Sequence, residues 1–319
     1  MYYAGIDLGG TGIKAALVTR EGEILQKETV PTGADRHWTA IMADMVELIW
    51  TLAARQGIDI SEIRGVGLGV PGSVDPEHGK LLYAANLPNC ADMDARTFMQ
   101  RELGLPLYID NDANVAALGE SLFGAGKGND RCCVMITLGT GVGGGVIING
   151  RIFAGAYYGG AELGHTVIVE NGRPCNCGRR GCWETYSSAT GLIRSAREAA
   201  AQDLDSLLWN VCDHDLSKLT ARKVCEAVDE GDPTANRIMD EYLHHLAVGL
   251  GNIYNIFQPE ILILGGGVSG RGEKLLVPLR GLIRSEIYGH DMSKVDIRIA
   301  TRGNDAGVLG AAALVMQEE

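Results

Sequence analysis

The 319-residue sequence contains no apolar run approaching the ~18 residues needed to span a bilayer. Its N-terminus, Met1-Tyr2-Tyr3-Ala4-Gly5-Ile6-Asp7, has no basic stretch leading into an apolar one. A cytoplasmic protein without a membrane partner is therefore expected. Positive charge is scarce too: 28 Lys and Arg stand against 40 Asp and Glu, a formal net charge of −12. Nonspecific nucleic-acid affinity comes from Lys and Arg, so no nucleic-acid partner is expected. There is no Gly-Lys-Ser/Thr, which excludes a P-loop. Two Gly-x-Gly-x-x-Gly spacings, Gly67–Gly72 and Gly139–Gly144, fit the dinucleotide fingerprint literally. One runs into Pro71-Gly72-Ser73 and the other into strand-like Val146-Ile147-Ile148, not into a helix, and both are rejected. No low-complexity segment or linker divides the chain.

Glycine is abundant, with 44 residues, near twice its average share of roughly 7%. The glycines cluster, which points to tight turns and close backbone approaches. Strand-like runs Tyr3–Leu8, Ile13–Thr19 and Ile24–Thr29 are separated by turn residues that suit antiparallel hairpins. Trp38–Gln56 is helical, with apolar Ile41, Met45, Leu48 and Leu52. Ile63–Val70 and Leu107–Asp110 are strands, the latter delivering Asn111-Asp112 to a helix over Ala113–Phe123. Further on, Cys132–Leu138 and Val142–Ile148 are strands joined through Gly139-Thr140-Gly141, repeating the opening hairpin. A long helix over about Thr234–Gln258 lines up Ile238, Tyr242, Leu246, Leu250 and Ile253. Gly249 and Gly251 inside it cost ~1 kcal/mol each relative to Ala, so a close packing or ligand approach should compensate. Ile261–Leu264 is a short strand, and a last helix spans about Ala306–Met316.

A phosphate needs backbone N–H groups with no side chain in the way, and hydroxyls beside them help. Gly9, Gly10 and Thr11, Gly139, Thr140 and Gly141, and the run Gly265-Gly266-Gly267 offer this at three places. Asp7 is placed to hold Mg²⁺, through water. A single such loop reads as a plain hairpin turn; the set reads as a phosphate clamp.

Of eight cysteines, Cys90, Cys132, Cys133, Cys212 and Cys225 are scattered in apolar surroundings and read as small buried hydrophobes. Cys175, Cys177 and Cys182 crowd into one glycine-containing loop, with His165 upstream. Three thiolates and an imidazole suit tetrahedral Zn²⁺, and four protein ligands close the shell, as in a structural site. Gly178 and Gly181 let the loop fold back.

Ile136–Gly145, Glu162-Leu163-Gly164-His165 and Cys175-x-Cys177-Gly178-x-x-Gly181-Cys182-x-Glu184 together resemble the ROK family of sugar kinases and sugar-responsive repressors. The resemblance runs from Asp7-x-Gly9-Gly10-Thr11 to Gly303-Asn304-Asp305-Ala306-Gly307. It implies a two-lobed α/β, actin-like ATPase (ribonuclease H-like) fold with a structural zinc loop. Residues 1–112, joined by a C-terminal helix at about 304–319, would form the N-terminal lobe. Residues 113–303 would form the larger lobe, with MgATP between the two.

It also implies that Asp112 is a general base for a sugar hydroxyl, although on its own Asp112 reads as a helix cap. Asn86 and Asn111 would hydrogen-bond sugar hydroxyls, while Glu162, His165 and Glu184 hold the anomeric end of the ring. Taken singly, either glutamate would be an ordinary solvated residue. Ala161 stands where glucokinases of this family usually have Gly, and Tyr157-Tyr158 occupy the same loop. The Asn111–Glu120 run is most similar to glucokinases, so glucose is the first choice, with N-acetylmannosamine or another hexose as the alternative. Homodimers or higher homo-oligomers are implied as well. A repressor of the family would carry an added N-terminal DNA-binding segment, whereas here the first phosphate strand begins at Tyr3.

Overall fold

A computed structural model describes residues 1–129 and 131–319. The chain begins with an antiparallel meander, β1 (Tyr2–Leu8), β2 (Gly12–Val18) and β3 (Ile24–Pro31). β4 (Ile63–Val70) follows, then a small sheet of β5 (Ser73–Asp75), β6 (Lys80–Tyr83) and β7 (Met93–Asp94), then β8 (Leu107–Asn111). The first large sheet has the order β3-β2-β1-β4-β8, with β4 parallel to both β1 and β8. The second repeats that plan. Its strands β9 (Cys132–Leu138), β10 (Val142–Ile148), β11 (Arg151–Ile152), β12 (Ile261–Gly265) and β13 (Ile297–Ile299) are ordered β11-β10-β9-β12-β13. An α/β fold with mixed sheets results, and the repetition of the opening hairpin extends to a whole sheet.

Contacts divide the chain into two compact units. The first comprises Met1–Val134, Gly145–Ala161 and Thr301–Glu319; the second comprises Met135–Gly144 and Glu162–Ala300. The first unit therefore reaches beyond residue 112 and takes in the helix Asp112–Phe123. The reason is the C-terminal helix Ala306–Met316, in which every residue from Ala306 to Val315 is buried. A helix that is apolar all round must be covered on all sides. It lies so close to the helix Asp112–Phe123 that a Cβ on Gly119 would be 2.2 Å from Ala306 O, and one on Gly310 would be 1.7 Å from Val115 O. Its other face rests on β1 and β4.

In the second unit the long helix spans Pro233–Phe257, capped by Asp232, whose side chain accepts from Ala235 N. All five apolar residues expected along its buried side are buried. The compensation expected at its glycines is packing: Gly249 meets the Trp183 indole and Gly251 meets Glu286. Among the described residues no helix is long and apolar enough to cross a membrane.

Candidate active site

In the first unit, β1 and β2 meet in the turn Leu8–Gly12. Gly9 N–H donates to Gly12 O at 2.9 Å and closes the turn, and the Thr32 hydroxyl donates to Gly9 O at 2.6 Å. Neither Gly9 nor Gly10 has a positive φ. A Cβ at position 10 would sit 3.0 Å from Asn86 Nδ2, so that side chain would have to give way slightly. The turn thus brings Gly10 and the exposed Asn86 together. Thr11 is exposed beside them. Asp7 sits at the end of β1 across from Lys14, its partner in the ladder. Its carboxylate packs on Gly307, where a Cβ would be 2.5 Å from Oδ2. Burial pushes the Asp7 carboxyl above the usual carboxylate range, and the Lys14 ammonium partly offsets this.

Asn111 and Asp112 stand where parallel β8 passes into a helix. Asn111 has extended backbone, and its Oδ1 accepts from Ala113 N at 2.9 Å and Asn114 N at 3.4 Å; its Nδ2 donates to Gly72 O at 3.1 Å. Asn111 is therefore the N-cap, and Asp112 is the first helical residue. Asp112 Oδ1 accepts from Ala113 N at 2.8 Å. Beneath them Asp110 is buried and accepts from Asn111 N at 2.7 Å and Asn114 Nδ2 at 2.9 Å; burial raises its pKa, and those hydrogen bonds pull it back. These two hydrogen bonds onto Asp110, one buried and one partly so, brace the Asn111-Asp112 step.

In the second unit the turn Gly139-Thr140-Gly141 is built like the first. Gly139 N–H donates to Gly141 O at 3.0 Å, and the Thr190 hydroxyl donates to Thr140 O at 2.7 Å. Gly139 and Thr140 line a cavity of about 730 Å³, together with Gly267 and Gly270. Gly266, with φ 85°, packs beneath this wall against the backbone of Leu138, and Gly265 packs on Met135. Thr220, Arg222, Glu226 and Arg271 also line the cavity, none of them singled out from the sequence; Cys225, expected among the buried hydrophobes, is half-buried on the same wall. The available signals were faint: Thr220 as a helix cap before Ala221, and Gly270-Arg271 continuing the third glycine run.

On the other side of Thr140-Gly141 lies a second cavity of about 350 Å³, lined also by Cys175, Asn176, Glu184, Ser188 and Arg194. Glu184 Oε2 accepts from Val142 N at 3.0 Å and approaches Gly141 so closely that a Cβ there would be 2.3 Å away. Glu162 is exposed and caps the 3-10 turn Leu163–His165 without a side-chain hydrogen bond. The residue before it, Ala161, has φ +61°, and Tyr158 has φ +58°. A left-handed backbone carries a steric cost for a side chain with Cβ, which is a reason for glycine at position 161.

His165, Cys175, Cys177 and Cys182 converge, with one ligand atom from each lying within 4.8 Å of the others. Cys175 Sγ is 3.6 Å from His165 Nδ1, and Cys177 Sγ is 3.6 Å from Cys182 Sγ. The edge of a tetrahedron with ~2.3 Å metal–sulfur bonds is about 3.8 Å, so the donor set fits zinc. Gly178 and Gly181 turn the loop back with φ values of 85° and 78°.

The ROK family model matches residues 3–318 of the chain. The chain belongs to the ROK family. This ROK protein is 39% identical to a glucokinase of Halalkalibacterium halodurans, over 100% of this chain and 96% of that one. It is 36% identical to a glucokinase of Thermotoga maritima, over 98% of this chain and 96% of the relative. A ROK family glucokinase from Streptomyces griseus, solved in complex with glucose and AMPPNP, matches with a TM-score of 0.79 at 34% identity; 99% of this chain and 100% of that chain are covered.

Proposed function

We propose that this ROK protein is an ATP-dependent hexose kinase that phosphorylates glucose at its C6 hydroxyl, on an actin-like ATPase frame. The observation that carries this reading is the division of labour at the end of β8: Asn111 caps the helix, so the adjacent Asp112 carboxylate is the one assigned to chemistry. Likeness to glucokinases over the whole chain supports it.

In the reaction Asp112 accepts the proton of the C6 hydroxyl as its oxygen bonds to the γ-phosphorus. The bond from that phosphorus to the bridging β,γ oxygen breaks, and ADP leaves. The nucleotide occupies the 730 Å³ cavity. Gly9 and Gly139 spend their N–H groups on closing their own turns. Contact with phosphate therefore falls to Gly10, Thr11, Thr140 and Gly141. Asp7 would hold Mg²⁺, which when bound neutralises charge on the phosphates. Asn86 and Asn111 hydrogen-bond sugar hydroxyls, and Glu162, His165 and Glu184 hold the anomeric end. Zinc on His165, Cys175, Cys177 and Cys182 is structural. With His165 Nδ1 facing the thiols, Nε2 is the nitrogen left for a sugar hydroxyl. A cytoplasmic homodimer or higher homo-oligomer completes the reading.

A coupled ADP-release assay with MgATP against glucose, mannose, fructose, allose, N-acetylmannosamine and N-acetylglucosamine tests it. Preference for glucose is expected, and Asp112→Asn should lower kcat by roughly 10²–10⁴-fold. Preference for an N-acetylated sugar would move the substrate and keep the mechanism. Inactivity on every sugar would overturn the kinase reading, and a fully active Asp112→Asn would remove the base.

A further inference from the structure

The helix Pro233–Phe257 carries Tyr242, His245 and Gly249 at spacings of three and four residues, which is one face of a helix. The short segment Trp183–Ser187 lies on that face. The Trp183 side chain is 0% exposed. Its Nε1–H donates to His245 O at 3.1 Å. Its five-membered ring sits over Gly249, where a Cβ would lie 2.0 Å from Cε2 and 2.4 Å from both Cδ2 and Nε1. Tyr186 stacks on the His245 ring, with centroids 4.6 Å apart. At the far end, the buried Tyr242 hydroxyl donates to Ser187 O at 2.8 Å. Glu184 is thus enclosed between two anchors on one helix, a single peptide away from the clamped indole.

We propose that Trp183 and Gly249 form a positioning pair that sets the Glu184 carboxylate, and that this pair governs affinity for the sugar and not the rate of phosphoryl transfer. The inference rests on the sugar-binding role given to Glu184 above. The indole has no freedom: its polar edge is tied to a carbonyl, and one face is pressed on a glycine in the interior of a helix. Glycine is a poor helix former, and alanine would suit the helix better if the space were empty. The space is taken by the indole. Displacing the indole shifts the start of the Glu184–Ser187 turn and with it the carboxylate that meets Val142 N–H. Glu184 acts at the anomeric end, remote from the C6 hydroxyl, so its displacement weakens ground-state and transition-state binding alike.

The test is a double-variant cycle on the full chain with MgATP and glucose. Gly249→Ala should raise the glucose KM by roughly tenfold while kcat stays within about twofold and the ATP KM is unchanged. Trp183→Leu ends short of the Cε2 and Nε1 positions that the new methyl would overlap. Gly249→Ala with Trp183→Leu should therefore bring the glucose KM back to within about threefold of wild type. Simple structural damage would instead add up in the double variant, and that result overturns the proposal. So does an unchanged glucose KM in Gly249→Ala. If Gly249→Ala does not fold, Trp183→Leu alone decides, with an expected rise in glucose KM of about threefold. Calorimetric titration with glucose gives a readout apart from turnover: affinity should fall in Gly249→Ala and recover in the double variant. A wild-type chain inactive on every sugar overturns the kinase reading, whereas an active wild type with an indifferent Gly249→Ala overturns this proposal alone.

Discussion

Glu184 Oε2 accepts a hydrogen bond from Val142 N–H at 3.0 Å, and this contact spans the turn that also lines the 730 Å³ cavity. It is possible only because Gly141 has no side chain: a Cβ would stand 2.3 Å from the same oxygen. One residue therefore serves the turn assigned to phosphate and the carboxylate assigned to the sugar. Gly141→Ala should raise KM for both glucose and ATP and lower kcat/KM by about tenfold or more. Steady-state kinetics with each substrate varied in turn measures this, and an effect on one substrate alone would show the two roles to be separate.

Asp7 yields a pH prediction. Its carboxyl is raised above the ordinary value of 3.8 by burial, with Lys14 pulling the other way. The native state therefore binds this proton more tightly than the unfolded chain does. The resulting stabilisation is complete below 3.8 and is lost as pH rises through the raised value. Asp7→Asn has no such titration. Its unfolding free energy minus that of the wild type should grow with pH across that window and then level off. Urea titrations at a series of pH values check this, and a difference that falls with pH would contradict it.

Glu120 is entirely buried, and among the described residues no basic side chain pairs with it. Its carboxylate accepts from Ala125 N at 3.0 Å, from Thr301 N at 3.0 Å and from Arg302 N. These bonds tie the end of the helix Asp112–Phe123 to the start of the C-terminal segment. Glu120→Gln exchanges one acceptor oxygen for an NH₂ facing backbone donors. A loss of about 2–4 kcal/mol in urea unfolding is expected, since hydrogen bonds to charged groups are worth ~1.5–3 kcal/mol and an orphaned donor adds its own cost.

Zinc can be tested by removal. Elemental analysis should find one zinc per chain, lost in Cys182→Ser and on dialysis against a strong chelator. Because binding energy at a closed site is folding energy, the stripped protein should melt at a lower temperature. Its glucose KM should rise while its ATP KM holds, since His165 and Glu184 flank the loop. No bound zinc in freshly purified protein would remove the claim.

Much of the framework was legible in the sequence. Trp38–Gln56, Ile63–Val70, Cys132–Leu138, Val142–Ile148 and Ala306–Met316 fall where the apolar period and the glycine punctuation put them. The convergence of His165 with three cysteines was legible from residue chemistry and spacing. On its own Asp112 reads as the helix cap, whereas Asn111 caps the helix; both are good capping residues, and only backbone geometry shows which of them caps. The cavity wall of Thr220, Arg222 and Arg271 escaped notice, since its residues come from segments far apart in the chain and share no local pattern.

By itself the sequence determined the repeated hairpins, the helices, the four-donor loop and the family, because periodicity, turn chemistry and ligand type act over short spans of chain. Tertiary structure decided what the glycines are for. At Gly141 and Gly249 no positive φ calls for glycine, which is needed there because Glu184 and Trp183 arrive from elsewhere to fill the space a side chain would occupy. Close packing between distant segments excludes a methyl group, and that exclusion is invisible until the chain has folded.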